Sequence, residues 1–434
     1  MDDPAPASSR RPAVPPSACP PSPLLASRDV RALGERLVAY HAQFHDLFAR
    51  REQSQWSAFY LRGQLSDLER KTIEPMVLAL VGPDDAAVRA AQQFLGAGAW
   101  DDEAILARHQ LLVGQSLGEP EGMVIVDGSG FPKQGKHSVG VARQYCGALG
   151  KIANCQHGVF AVYHSSAGHT FLDRRLYMPQ AWFDEAHAPL RQRYGVPPDL
   201  EFMTEPMLAL QMVQNLVEHG HVPFRWVLGD ETYGADPKFL DGVEELDKCY
   251  FVEVPVSTRV WVGEVEVEPP GQGPTGRPRK DPRVAPGTPP LQQVRRIAAQ
   301  LPPQAWRRYV IQEGTKGPIE ATMAFLRVTR SARKGTPRGP AWAVFRRGHN
   351  EKGEETLKAF LSNAPAGSRH GELARLSGMR WPIETVLEEG KGEVGMDHYE
   401  VRTWRGWQHQ MTQTFLAHHF LVLMRLESKK KLRR

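Results

Sequence analysis

Between residues 123 and 256, short apolar runs rich in β-branched residues alternate with helical stretches, and two of the runs close on an aspartate and a glycine-containing turn. The first, MVIVDGSGF, reads as a buried strand leading into Asp127. Strand character continues at GVFAVYHS (158–165) and FLDRRLYMP (171–179). A helix from Met203 to about His219 follows, then FRWVLGD (224–230), which ends at Asp230, a helix from Pro237, and CYFVEVPV (249–256). Strands separated by helices predict an α/β core, since each strand buries its faces under the helices that connect it. Strand ends in such sheets border the crevice where ligands bind. Asp127 and Asp230 are therefore placed where chemistry is done.

The flanks differ in texture. Residues 1–25 are rich in Pro, Ala and Ser without apolar periodicity, and are expected to be disordered. Residues 26–120 are expected to be an all-helical N-terminal domain. Val30, Leu33, Leu37, Tyr40 and Phe44, then Leu61, Leu65 and Leu68, then Ile73, Val77 and Leu80, recur at helical spacing. Ser66 with Glu69 has capping-box spacing, and Asp101-Asp102 marks another helix start. The α/β core spans 121–256 and resumes as helices over 371–428. Between them, 257–370 breaks into strand-like pieces (RVWVGEVEVE, WRRYVIQ, AWAVFRR) and reads as a β-rich insertion. Residues 429–434 form a basic tail.

Composition narrows the class. With 41% hydrophobic and 24% charged residues the chain is an ordinary globular protein. No run reaches the roughly 20 apolar residues of a membrane span, and no signal peptide core is present, so a cytoplasmic protein with no membrane partner is expected. The four cysteines (Cys19, Cys146, Cys155, Cys249) form no CxxC pair, and Cys155 with His157 is too few ligands for a zinc site, so all four read as plain thiols. Net charge is +5 and the pI about 9.0. From Pro269 to Arg347 there are sixteen Lys and Arg against three acids, Asp281, Glu313 and Glu320. That strip is either a footprint for phosphates, with Arg307, Arg308 and Lys316 among its cations, or a solvated basic linker.

Two carboxylates at neighbouring strand ends suit a pair of Mg²⁺ ions, hard cations that prefer oxygen ligands. Two such ions activate an attacking oxygen and steady a leaving one in phosphoryl transfer. The alternative is that each Asp merely makes an Asx-turn. A third acid would come from RWPIETVLEEGK (380–391), where Pro382 suits a first helical turn. Arg380, Glu384, Glu388 and Lys391 then share one face, with Glu384 or Glu388 for metal and the cations for phosphates. The competing reading is a solvated helix with local charge pairs. Lys133, Lys136 and Arg143 follow Asp127 and are either strand-gripping or plain surface charges. Trp404 and Trp407 fit a core better than a base-stacking platform, and His418 and His419 fit a packed helix better than a ligand set. GKGEVG (390–395) lacks the ending and preceding strand of a P-loop.

Four blocks carry a resemblance: VDGSGFPKQGKHSVGVARQYCGALGKIANCQHGVF (126–160), WVLGDETYG (226–234), RWPIETVLEEGKGEVGMDHYEVRTWRGW (380–407) followed by LAHHFL, and FYLRGQLSDLERKTIEPM (59–76). Together they resemble the DDE transposases of bacterial insertion sequences, specifically the insertion sequence 701 family. The resemblance implies an RNase H-like catalytic core interrupted by the β-rich insertion, with the helical N-terminal domain binding DNA. It implies an Asp-Asp-Glu triad of Asp127, Asp230 and Glu384, the last set by an Arg, three residues, Glu, six residues, Lys signature that Arg380, Glu384 and Lys391 fit; Glu388 is the fallback. It further implies two Mg²⁺ ions, for which Mn²⁺ substitutes, and double-stranded DNA as partner, both terminal inverted repeats and target. A homodimer on DNA follows from the same source, as do metal-dependent cleavage at the element ends and strand transfer. The long interval from Asp230 to Glu384 is then filled by the insertion, and the DNA-binding reading of 269–347 is favoured. The chain departs from the family at Ser377, where a Tyr is usual, at Gly128-Ser129, and at Gln408-His409-Gln410. A domesticated copy that only binds DNA, and an RNase H-like nuclease without strand transfer, are the alternatives.

Overall fold

The alternation of apolar runs resolves into one long mixed sheet with helices on both faces. The structure is a computed structural model that describes residues 27–271, 281–314, 317–332, 335–349 and 353–432. The expected disordered tail, part of the Pro/Gly-dense stretch and Lys316 lie outside the described residues.

Helices come first: α1 (Ser27–Ala42), α2 (Arg51–Gln64), α3 (Ile73–Leu80), α4 (Asp85–Gly96) and α5 (Asp102–Leu117). The core follows as β1 (Met123–Pro132), β2 (Ala142–Cys146), β3 (Lys151–His164), β4 (His169–Tyr177), α6 (Ala188–Arg193), α7 (Glu205–His219), β5 (Trp226–Gly229), α8 (Glu231–Gly234), α9 (Pro237–Glu245) and β6 (Cys249–Val254). Next come β7 (Arg259–Val262), β8 (Val267–Glu268), β9 (Arg283–Val284), β10 (Gln292–Gln293), α10 (Val294–Gln300), β11 (Arg307–Gly314), β12 (Gly317–Ser331), β13 (Pro337–His349) and β14 (Glu355–Ser362). The chain ends with α11 (His370–Leu376), α12 (Trp381–Gly392) and α13 (Trp404–Leu432). Residues up to Gln43 form one unit and Phe44–Arg434 another.

Local chemistry explains several boundaries. Asp101 caps α5, accepting from the Ala104 N–H at 3.0 Å, as its position predicts. The Ser66–Glu69 capping box does not form. Ser66 instead donates its hydroxyl to the Gly63 carbonyl at 2.7 Å, closing the end of α2, and the next helix waits until Ile73. At the C-terminal end, α13 runs through Lys429 to Leu432.

In the sheet, β4, β3 and β1 are antiparallel neighbours, β1 pairs parallel with β5, and β5 parallel with β6. The later strands continue the same sheet: β14 pairs antiparallel with β6, then β13, β12, β7 and β10 follow in order. Alternate residues face opposite sides. On one face Val124, Val126, Val159 and Ala161 pack with Leu208, Met212 and Val213 of α7 and Phe239 and Val243 of α9. On the other, Ile125, Phe160, Val162 and Phe171 pack with Ile383 and Val386 of α12 and Trp407, Met411 and Phe415 of α13. A polar seam joins α2 to α13. Ser57 meets Gln413, Tyr60 donates to Gln410 at 2.6 Å and Gln64 to Thr414 at 3.0 Å, all buried. The departing Gln408-His409-Gln410 segment is thus interior, with His409 stacked on Trp100 at 3.6 Å.

Candidate active site

Asp127 lies inside β1 and not at its end, since the strand runs on to Pro132 in antiparallel pairing with β3. What ends beside it is the parallel pairing with β5, whose last partners are Ile125 and Leu228. Carrying that register two residues further sets Asp127 level with Asp230. The two strands part at that level, and a cleft of about 490 Å³ lined by both acids opens in the gap. Asp230 caps α8, accepting from the Thr232 N–H at 2.8 Å, so its Asx-turn and its place in the cleft coexist.

The third acid arrives on α12. Arg380 precedes this helix, Pro382 sits in its first turn, and buried Ile383 and Val386 hold it to the sheet. Arg380 Nη2 lies 3.4 Å from Asp127 Oδ2 and 3.3 Å from Glu384 Oε1. The two carboxylate oxygens are therefore at most 6.7 Å apart, those two distances laid end to end. Glu388, one turn on, is exposed. Its neighbour Glu389 is bound by His418 Nε2 at 3.0 Å and Arg425 at 2.6 Å, which pull its pKa down to about 2. His418 is a packed histidine of the α12–α13 contact, with Thr170 on its other nitrogen at 2.9 Å.

Burial pushes the Asp127 carboxyl up to about 6, against the pull of Arg380 and the Gly128 N–H, with Asp230 and Glu384 adding repulsion. A spot with three acids and one cation lacks positive charge. Its donors are all carboxylate oxygens, the set that hard divalent cations prefer. Among the described residues no three His, Cys, Asp or Glu side chains already converge on one ion-sized point. Arg380 bridges Asp127 and Glu384 instead. Glu384 is 58% exposed, so its carboxylate can turn toward Asp127 without disturbing the core. The residues fit a divalent cation once that arginine yields.

The remaining expected residues divide. Lys391, at the far end of α12, donates to Ser129 Oγ at 2.9 Å and to the Gly130 carbonyl at 3.4 Å, beside the cleft. Lys133 sits over the Tyr399 ring at 3.5 Å, and burial pushes its pKa down to about 8. Lys136 and Arg143 are exposed. Arg307 is exposed, while Arg308 is paired with Glu320 at 3.0 Å. Trp407 is fully buried and Trp404 half-buried.

Three cleft residues were not foreseen. His157 Nε2 and Glu205 Oε2 are 3.1 Å apart, and both crowd Gly128, where an added Cβ would fall 2.3 Å from His157 Nε2. A larger side chain at Gly128 would require His157 to shift. Tyr233 is buried, and its hydroxyl has no hydrogen-bond partner among the described residues. The DETYG motif was the available signal for Tyr233. Pairing His157 with Glu205 needs strand register and leaves no trace in spacing.

Comparison with known proteins adds two findings. A family model described as DDE superfamily endonuclease matches residues 43–318, a span that includes Asp127 and Asp230 and stops short of Glu384. The chain is also 32% identical over 196 residues to a protein of Microchaete diplosiphon named "Probable transposase for insertion sequence element IS701". That alignment covers 44% of this chain and 46% of the relative.

Proposed function

The chain belongs to the DDE superfamily endonuclease family, and from that membership and its cleft we propose that it is a DNA transposase. It would cut at the ends of an insertion sequence and join the exposed 3′ ends to target DNA. The observation that carries the reading is the meeting of Asp127 with Asp230 across two parallel strands and with Glu384 through Arg380. The strand order β4, β3, β1, β5, β6, an antiparallel meander leading into two parallel strands, supports an RNase H-like core.

Asp127, Asp230 and Glu384 would hold divalent cations, two Mg²⁺ or Mn²⁺ ions, which supply Lewis-acid activation of the attacking oxygen and neutralise charge on the leaving one. Arg380, 36% exposed, would exchange its carboxylates for a DNA phosphate. Lys391 fixes the β1 backbone beside Asp127 through Ser129 and Gly130. Lys136, Arg143 and the insertion's Arg307 present exposed charge to the sugar–phosphate backbone, the main source of sequence-independent affinity. Lys133 and Arg308 join them by leaving their present partners.

Metal occupancy has a readout apart from catalysis. Adding about 10 mM Mg²⁺ at pH 7.5 should raise the melting temperature of the wild type by linkage, and that of Asp127→Asn much less. Equal shifts in both would remove Asp127 from the metal site.

For activity, the full chain is incubated with Mg²⁺ and duplexes carrying the DNA that flanks its own gene, labelled at the 3′ end. Expected is Mg²⁺-dependent nicking followed by transfer of label into a plasmid target, with both lost in Glu384→Gln. Nicking without transfer would reduce the protein to a nuclease, and binding without nicking would leave only a DNA-binding protein.

A further inference from the structure

Beside the cleft, β2 and β3 form a hairpin that leaves the body of the sheet. Tyr145 and Ile152 are direct cross-strand partners. Both point outward, 64% and 61% exposed, and Leu149 at the turn is 46% exposed. A globular surface seldom leaves three large apolar side chains together on one hairpin tip unless they meet something. The turn is sharp, closed by Gly150 at φ +62°. Asn154 ties the hairpin to the preceding loop, donating to the Lys133 carbonyl at 2.7 Å and to the Gly135 carbonyl at 2.9 Å. It is a braced projection.

Its charge indicates the partner. From residue 128 to residue 172 there is no acid, whereas Lys133, Lys136, Arg143 and Lys151 are cations. Arg143 lies two residues from Tyr145 on the same exposed face, and Lys151 adjoins Ile152. An apolar tip framed by cations only suits DNA whose bases are unstacked, the phosphates meeting the rim and the bases meeting the tip. Gln144, Tyr145, Gly147 and Ala148 line the same cleft as Asp127 and Asp230, so the hairpin borders the site where the proposed cut would be made.

We propose that the β2–β3 hairpin is a strand-separating wedge, with Tyr145, Leu149 and Ile152 inserting between bases beside the phosphate that is cut. The inference rests on the reading that the chain cuts DNA. It adds a step that reading does not contain: the duplex is locally opened before or during cleavage.

The test compares wild type with Tyr145→Ala/Ile152→Ser on two substrates, a fully paired duplex and one with two unpaired bases flanking the scissile phosphate. 2-Aminopurine beside the cut reports unstacking in Ca²⁺, without cleavage. In the wild type, fluorescence should rise on binding. In the variant that rise should vanish, and the ratio of the rate on unpaired DNA to that on duplex should climb about tenfold, the scale of one lost base–aromatic stack. Because the replaced side chains are exposed, the melting temperature should hold. An unchanged ratio with a preserved fluorescence rise would overturn the wedge, as would a variant that loses self-association while keeping the ratio, since the tip would then be an interface between copies. If the wild type cuts neither substrate, the transposase reading itself fails, a result distinct from either.

Discussion

Asp127→Asn should lower DNA cleavage by more than about a thousandfold, beyond what loss of a single transition-state hydrogen bond costs, and should at the same time stabilise the metal-free protein at neutral pH. The first follows from removing a carboxylate that would hold metal; the second follows because the carboxyl is largely buried, which raises its pKa from 3.8 to about 6. A carboxyl whose folded pKa is raised favours the fold while protonated. That stability is complete below 3.8 and is lost as pH climbs through about 6. At pH 7.5 the wild type carries the buried charge and asparagine does not. The variant should therefore gain on the order of 2 kcal/mol in the absence of metal. Urea unfolding of both proteins at pH 4.5 and 7.5 would show the full gain at the higher pH and roughly a third of it at the lower. A variant less stable than wild type at pH 7.5 without metal would mean that Arg380 already satisfies Asp127. The repulsion among the three carboxylates would then be already relieved, and with it the reason for a cation to bind there.

This trade between stability and chemistry was partly legible in the chain. Asp127 and Asp230 stand out because each closes an apolar run, and Glu384 because Arg380 and Lys391 frame it at helical spacing. These signals are local, and the structure brings Asp127 and Glu384 to the same arginine. The extent of the sheet was not legible. Nothing in ETLKAFLS announces that β14 pairs with β6, because pairing partners far apart in sequence leave no mark on periodicity. Ser66 misled for the opposite reason. A capping box is a short pattern, and the same hydroxyl closes a helix as readily as it opens one. Lys133 kept its charge in the reading and lost its exposure in the fold, which only the position of Tyr399 could reveal.

FLDRRLYMP held the loudest unread signal, three charges inside an apolar strand, and it yields the largest expected loss of stability. Arg174 is completely buried. Its guanidinium bonds Asp102 through Nη2, reaches Glu103 at 3.1 Å, and lies 3.7 Å from Asp173, which is 1% exposed. Asp102 and Glu103 open α5, so the arginine ties that helix to β4. In register, Arg174 is opposite Phe160, and Phe160 opposite Asp127. The anchor and the candidate catalytic acid thus occupy one row across three strands. Arg174→Met keeps the volume and removes the charge, leaving Asp173 to Arg175 alone and Asp102 without a close cation. Breaking a buried pair in this way costs about 3–5 kcal/mol. Burial already raises the pKa of Asp102 and of Asp173, and Arg174 opposes it in both. Without the arginine both rise further, so the acids protonate more readily and the deficit should shrink as pH falls from 7.5 toward 5. Adding Asp102→Asn to Arg174→Met should recover part of the loss, because one of the stranded charges is gone. Arg70→Ala, from a pair 70% and 60% exposed, is the comparison and should barely move the urea midpoint. If Arg174→Met unfolds at the wild-type midpoint at pH 7.5, the buried cluster is neutral, and the row that positions Asp127 is held by its aromatic neighbours instead of by charge.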